Sequence, residues 1–276
     1  MEMRYTADKA RFPRMTTAEV RQAFLLDNLF RPGALDLVYT DVDRAVVGSA
    51  VPTDGKLALA ASKELASAYF AQRREVGVLN VGGPGSVTVD GQAYAMAALD
   101  CLYIGRGSKE IVFASATAAE PALFYLVSYP AHTTYPTRQA RRADAEAVPL
   151  GSEKDANKRT IRKYIHPAGI PSCQLVMGYT ELAEGSIWNT MPAHTHERRS
   201  EVYMYFNVDD DALVFHFMGT ADETRHIAVR NRQAVLSPSW SIHSGAGTRR
   251  YAFVWAMGGE NQEFGDMDHI AVKGLK

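Results

Sequence analysis

From residue 36 onward the chain is written in short runs of Val, Ile, Tyr, Phe and Thr, and turn chemistry cuts each run after a few residues. Thr53-Asp54-Gly55, Gly82-Gly83-Pro84-Gly85 and Asp90-Gly91 are such cuts. Runs this short cannot build long helices, and many strands joined by Gly-rich turns close into antiparallel barrels or jelly rolls. The segment Ser86-Val87-Thr88-Val89-Asp90-Gly91-Gln92-Ala93-Tyr94 reads as a hairpin, because Asp-Gly supplies the two positive φ angles of a tight type I′ turn. One exception precedes the strands. Thr16-Thr17-Ala18-Glu19 has the spacing of a capping box, and Val20, Phe24, Leu25 and Leu29 recur near helical spacing, so a short amphipathic helix is expected there.

The 276 residues suffice for two ordinary domains or one fold made of two similar halves. A polar, charged stretch from about 136 to 158 lacks strand periodicity and reads as a connection between halves. The expected division is a barrel over 1–140, a linker over 141–158 and a second barrel over 159–276. A short internal echo agrees with this: Arg73-Arg74-Glu75-Val76 resembles Arg199-Ser200-Glu201-Val202. The expected fold is all-β, mainly antiparallel, with two jelly-roll barrels and a short N-terminal helix.

Composition removes several function classes. With 46% apolar and 22% charged residues the chain has the mix of a globular protein, and its formal net charge of −1 gives no footprint for nucleic acid or an anionic membrane. No apolar run approaches the roughly 18 residues that span a bilayer, and the charged start MEMRYTADKARFPRM lacks a secretory core. Two cysteines, Cys101 and Cys173, are too few for a disulfide framework, so cytoplasm is the expected compartment. No histidine stands in a recognisable relation to either, and both are expected to be small buried residues.

The chemistry concentrates in the second half. His194-Thr195-His196 places two imidazoles on one face of a strand. Glu201 lies at an odd offset from His196, so a turn at Glu197-Arg198-Arg199-Ser200 must bring its carboxylate back toward them. His243 follows a Pro-led segment, Pro238-Ser239-Trp240-Ser241-Ile242. Three imidazoles and a carboxylate suit zinc, iron, manganese or nickel better than calcium or magnesium. Arg198 and Arg199 stand between these residues. Arg199 is a candidate substrate contact, since a guanidinium fork would match an acidic ligand, and Lys163 is a second, since it lies on an expected strand and could face the barrel interior. His216 and His226 lack ligand spacing, and the Asp266, Asp268 and His269 cluster could either close a cavity or cap the last strand.

The order His-x-His, four residues, Glu, then Pro and a distal His resembles the metal motifs of the cupin superfamily. Three of that family's turn glycines are replaced, by Trp188, Val208 and Trp240. Longer strings, among them Ala131-His132-Thr133-Thr134-Tyr135-Pro136, Trp188-Asn189-Thr190-Met191-Pro192 and Ser237-Pro238-Ser239-Trp240-Ser241-Ile242-His243, resemble the 5-keto-4-deoxyuronate isomerases nearly end to end. That resemblance implies one zinc ion per chain on His194, His196, Glu201 and His243, with the first barrel metal-free because no His-x-His precedes Glu75. It implies conversion of 5-dehydro-4-deoxy-D-glucuronate to 3-deoxy-D-glycero-2,5-hexodiulosonate in pectin and uronate breakdown, zinc stabilising an enediolate. It also implies a homo-oligomer, with a hexamer as one candidate. Glu197, Lys163, Tyr205 and a zinc-bound hydroxide stay open as the base. The competing readings are a 5-deoxy-glucuronate isomerase of inositol catabolism, an iron-dependent cupin dioxygenase and a non-enzymatic storage bicupin.

Overall fold

Asp90 and Gly91 both adopt positive φ, 48° and 85°, and join the antiparallel strands Gly85–Val89 and Gln92–Met96 in the hairpin their chemistry demands. They belong to a computed structural model of residues 1–276, built almost wholly of antiparallel β-sheet.

The same strand order occurs twice. One seven-stranded sheet runs Glu2–Arg4, Leu35–Thr40, Val46–Ala50, Phe124–Pro130, Arg74–Asn80, Cys101–Ile104, Arg138–Ala140. The other runs Glu146–Leu150, Arg159–Ile165, Val176–Leu182, Ala252–Gly259, Arg199–Phe206, Ala234–Ser237, Leu25–Leu26. Each has a four-stranded companion of matching order: Leu57–Ala58, Ile111–Ser115, Gly85–Val89, Gln92–Met96 in the first half, and Trp188–Asn189, Ser244–Gly247, Val214–Thr220, Glu223–Val229 in the second. The strand carrying Glu75 thus holds the same place in its sheet as the strand carrying Glu201. The echo between them is a duplication of topology.

Contacts gather the chain into two compact units that do not follow chain order. Met1–Arg4, Asn28–Ala145 and Tyr164–Val176 form one, and Tyr5–Asp27, Glu146–Lys163 and Met177–Lys276 the other. The helix Thr17–Phe24 forms as its sequence directs. Thr16 accepts from the Glu19 amide while the Glu19 carboxylate accepts from the Thr16 amide. It belongs to the second unit rather than to the first barrel of a chain-order division. The physical reason is aromatic: Phe12 and Phe24 pack edge-on against Trp240 at 5.4 and 6.5 Å, and Arg21 donates to the Ala228 carbonyl. Trp240, which stands where cupins usually turn on glycine, is therefore the seat of the N-terminal segment.

The stretch from 136 to 158 is not a bare connection. It holds the edge strands Arg138–Ala140 and Glu146–Leu150. Edge strands with one exposed face need no apolar alternation, and Pro149 is tolerated there because an edge leaves amides unpaired.

The first unit is filled by apolar side chains such as Val46, Phe70, Val78, Leu102, Phe113 and Leu126. The second has an aromatic interior around Tyr203, Tyr205, Tyr251 and Phe253, whose ring centroids lie 4.6 to 6.3 Å apart. Gly178 leaves room for Trp255, which a β-carbon there would meet at 2.4 Å. No helix is long and apolar enough to cross a membrane.

Candidate metal centre

Alternation along Arg199–Phe206 sends Arg199, Glu201, Tyr203 and Tyr205 to one face, and this row is buried in the second unit. The chain reaches that strand from His194–Thr195 through a turn at Glu197-Arg198, closed by the Arg199 amide donating to the His196 carbonyl. The turn cancels the odd offset between His196 and Glu201. His243 comes in just before the strand Ser244–Gly247.

The four side chains meet. One nitrogen or oxygen of each lies within 4.8 Å of the others, a cluster able to hold a metal ion. Glu201 Oε2 is 2.8 Å from His243 Nε2 and 3.2 Å from His196 Nε2, and His243 Nε2 is 3.0 Å from His194 Nε2. His196 Nδ1 donates to the Arg199 carbonyl at 3.0 Å, and His243 Nδ1 lies 3.4 Å from the Ser241 carbonyl. Those carbonyls fix the tautomer and leave the Nε2 lone pairs facing the carboxylate, as metal-binding imidazoles require. His196, Glu201 and His243 are almost fully buried. Three imidazole nitrogens and one carboxylate, with His196 and His243 oriented from behind, fit a borderline divalent cation.

Burial and the neighbouring His243 push His194 down to about 3. Burial works to raise Glu201, but the charges and hydrogen bonds of His243 and His196 hold it below the usual carboxylate range. Burial works to lower His196, yet the hydrogen bond and charge of Glu201 raise it. His216, buried and also pushed down to about 3, binds the Tyr205 hydroxyl instead.

A cavity of about 260 Å³ opens onto this cluster. His194, His196 and Glu201 line it together with Arg159, Thr180, Thr190, Tyr203 and His269, and Phe253, Trp255, Met257, Phe264 and Met267 supply apolar walls. Trp255 is held by its indole N–H donating to Thr180 at 3.2 Å. Tyr203 and Thr190 share a hydrogen bond of 2.9 Å. Burial, reinforced by Glu201, raises the Tyr203 phenol far enough to keep it protonated.

The two candidate substrate contacts fall differently. Arg199 lines the cavity, but it is buried and its Nη1 and Nη2 donate to the carbonyls of Glu263 and Asp266 at 2.8 and 3.0 Å. Lys163 does not line it. Its ammonium lies 3.2 Å from the Glu146 carboxylate and 4.5 Å above the Phe264 ring. Among the open bases, Glu197 is exposed on the turn and Tyr205 is engaged with His216, and neither lines the cavity. The acidic C-terminal cluster has a definite place: Arg198 binds Asp266 and Asp268, and Asp268–His269 pairs with His194–Thr195. This strand pairing sets His269 beside the cluster. Reading the sequence alone missed Arg159, Thr190 and Tyr203 as lining residues. Period two from Glu201 carries the signal for Tyr203.

Residues 28–272 match the KduI/IolB family. The chain is 52% identical over 276 residues to a 4-deoxy-L-threo-5-hexosulose-uronate ketol-isomerase of Shouchella clausii, covering all of both chains. It is 51% identical over 278 residues to the protein of that name from Escherichia coli, again over all of both chains. Among solved structures it is similar to an IolB-like protein of Salmonella typhimurium, with a TM-score of 0.71 and 14% identity over 90% of this chain and 96% of that one. An oxalate decarboxylase of Lactobacillus farciminis shares the fold at a TM-score of 0.56 and 11% identity, covering 83% and 79%. The chain belongs to the KduI/IolB family.

Proposed function

We propose that this chain is a zinc-dependent aldose–ketose isomerase that converts 5-dehydro-4-deoxy-D-glucuronate to 3-deoxy-D-glycero-2,5-hexodiulosonate. The observation that carries the reading is the meeting of His194, His196, Glu201 and His243 at a cavity of sugar-acid size. The full-length relatives named as ketol-isomerases of that substrate class support it.

The reaction moves hydrogen without net oxidation. C2 loses its proton and its hydroxyl becomes the ketone, while C1 gains a proton and its aldehyde oxygen becomes a hydroxyl. His194, His196, Glu201 and His243 would hold the zinc, which when bound would supply a Lewis acid to the substrate oxygens. The chain itself contributes the rest. The protonated Tyr203 phenol, braced by Thr190, is placed to donate a hydrogen bond to a substrate oxygen as charge gathers there. His269 is the one imidazole of the lining outside the four-residue cluster, its ring 6.1 Å from that of His194, and is the side chain there placed to carry a proton between the two carbons. Phe253, Trp255 and Met257 exclude bulk water from the reacting carbons.

The test is removal and return of the metal. Chelation should abolish isomerisation and zinc should restore it, without nicotinamide, oxygen or phosphate. In heavy water the new hydroxymethyl carbon should carry deuterium. Turnover that survives complete removal of metal contradicts the reading.

A further inference from the structure

The substrate proposed above has two unlike ends: an aldehyde and its neighbouring hydroxyl at one, and a carboxylate at the other. The metal cluster accounts for the first. Four cationic side chains stand at or near the cavity, and three are already engaged. Arg199 gives Nη1 and Nη2 to backbone carbonyls. Arg198 is held by Asp266 and Asp268, and Lys163 by Glu146 and the face of Phe264.

Arg159 differs. It opens the strand Arg159–Ile165, lines the cavity and is half-buried. Its guanidinium makes a single hydrogen bond, from Nη1 to the Asn157 carbonyl at 2.8 Å, and no carboxylate pairs with it. Burial lowers its pKa, and the Tyr203 and Tyr251 hydroxyls lie near enough to raise it in part. Nε and Nη2 make no hydrogen bond within the protein, which leaves these donors of the guanidinium free for a ligand.

Its place relative to the cluster suits a six-carbon chain. Three strand spacings separate the Arg159 strand from the Glu201 strand in the sheet, roughly 14 Å along the hydrogen-bonding direction. Arg159 and the cluster residues His194, His196 and Glu201 line the same cavity. Tyr203 stands between them, with its ring 5.5 Å from that of His243.

We infer that Arg159 is the carboxylate anchor of this cavity: its guanidinium fork grips the uronate end of the substrate, while the opposite end faces His194, His196, Glu201 and His243. This rests on the isomerase reading for the identity of the substrate, though the preference for an acid over a neutral sugar can be read without it. Selection follows from chemistry. A half-buried guanidinium gains a charge-assisted pair from an acid and none from a neutral sugar of the same length, so the acid is preferred.

The test is a substitution series in the zinc-loaded protein. Arg159→Met should raise KM for 5-dehydro-4-deoxy-D-glucuronate roughly 10- to 100-fold, the worth of a charge-assisted hydrogen-bonded pair, and change kcat much less. Arg159→Lys should recover part of that loss. Metal content and thermal midpoint should stay those of the parent chain in both. For the analogue whose C6 is a hydroxymethyl group, KM should be nearly the same with and without the substitution. A parent-like KM for the acid in Arg159→Met, or an equal rise for acid and neutral analogue, overturns the assignment and leaves the isomerase reading intact. If the parent chain does not isomerise the substrate, the isomerase reading fails and calorimetry decides for Arg159. D-glucuronate bound more tightly than D-glucose by the parent chain, and not by Arg159→Met, upholds the anchor. An acid bound no better than the neutral sugar, or no binding of either, refutes it.

Discussion

Glu75 Oε2 accepts the Tyr103 hydroxyl at 2.8 Å, in the strand whose counterpart carries Glu201. Three backbone amides, of Cys173, Gln174 and Leu175, donate to the same carboxylate at 2.7 to 2.9 Å. Both glutamates are buried, and each has its charge met by what its unit supplies. For Glu201 the neighbours are imidazoles. For Glu75 they are four protein donors, which use up the carboxylate.

Glu75→Ala should therefore destabilise the protein while leaving its metal content unchanged. Removing the acceptor strands four donors, of which the Tyr103 hydroxyl and the Leu175 amide are buried, at a cost of about 3 kcal/mol. Denaturant unfolding compared with metal analysis checks this, and an unshifted midpoint contradicts it.

His196→Ala should abolish turnover and still melt cooperatively with a β-rich circular dichroism spectrum. Two sheet pairs of this size do not depend on one ion, in contrast to small zinc domains that unfold without it. Aggregation of the variant at room temperature would show that the metal is structural.

Tyr203→Phe should lower kcat roughly 100-fold, the usual worth of a preorganised donor. KM and zinc content should hold, because the ring and its packing on Phe253 remain. A fall in metal content would assign Tyr203 to the architecture of the cluster instead.

Arg198, and then Asn261, hold Asp266 down to about 2 by hydrogen bonding. A depressed carboxylate contributes its stability above its unfolded value and loses it as pH falls through the folded one. The clamp on the C-terminal segment should thus be intact at pH 4.5 and open as pH approaches 2. Hydrogen exchange of the amides from 263 to 269 reads this, and full exposure at pH 4.5 contradicts it.

How far the sequence foretold the site depended on whether chemistry or packing placed each residue. The meeting of His194, His196, Glu201 and His243 was legible because a set of possible metal-binding side chains has its own order and its own turn requirement. Asp90-Gly91 and Thr16-Glu19 were legible because turn and cap are local. The edge strand Glu146–Leu150 was not, since its stability comes from a neighbour and its composition from solvent. Arg159 was hidden for a related reason. An arginine beginning a polar strand looks solvated, and only strand order reveals that it faces a cavity.

The central claim is tested most directly by metal analysis of the purified protein paired with turnover of two sugar acids, 5-dehydro-4-deoxy-D-glucuronate and 5-deoxy-D-glucuronate. The account predicts roughly one zinc per chain, matching the single four-ligand cluster, and isomerisation of the first acid alone. Activity on the second alone would move the protein to inositol breakdown, and iron accompanied by oxygen uptake would contradict the isomerase assignment altogether.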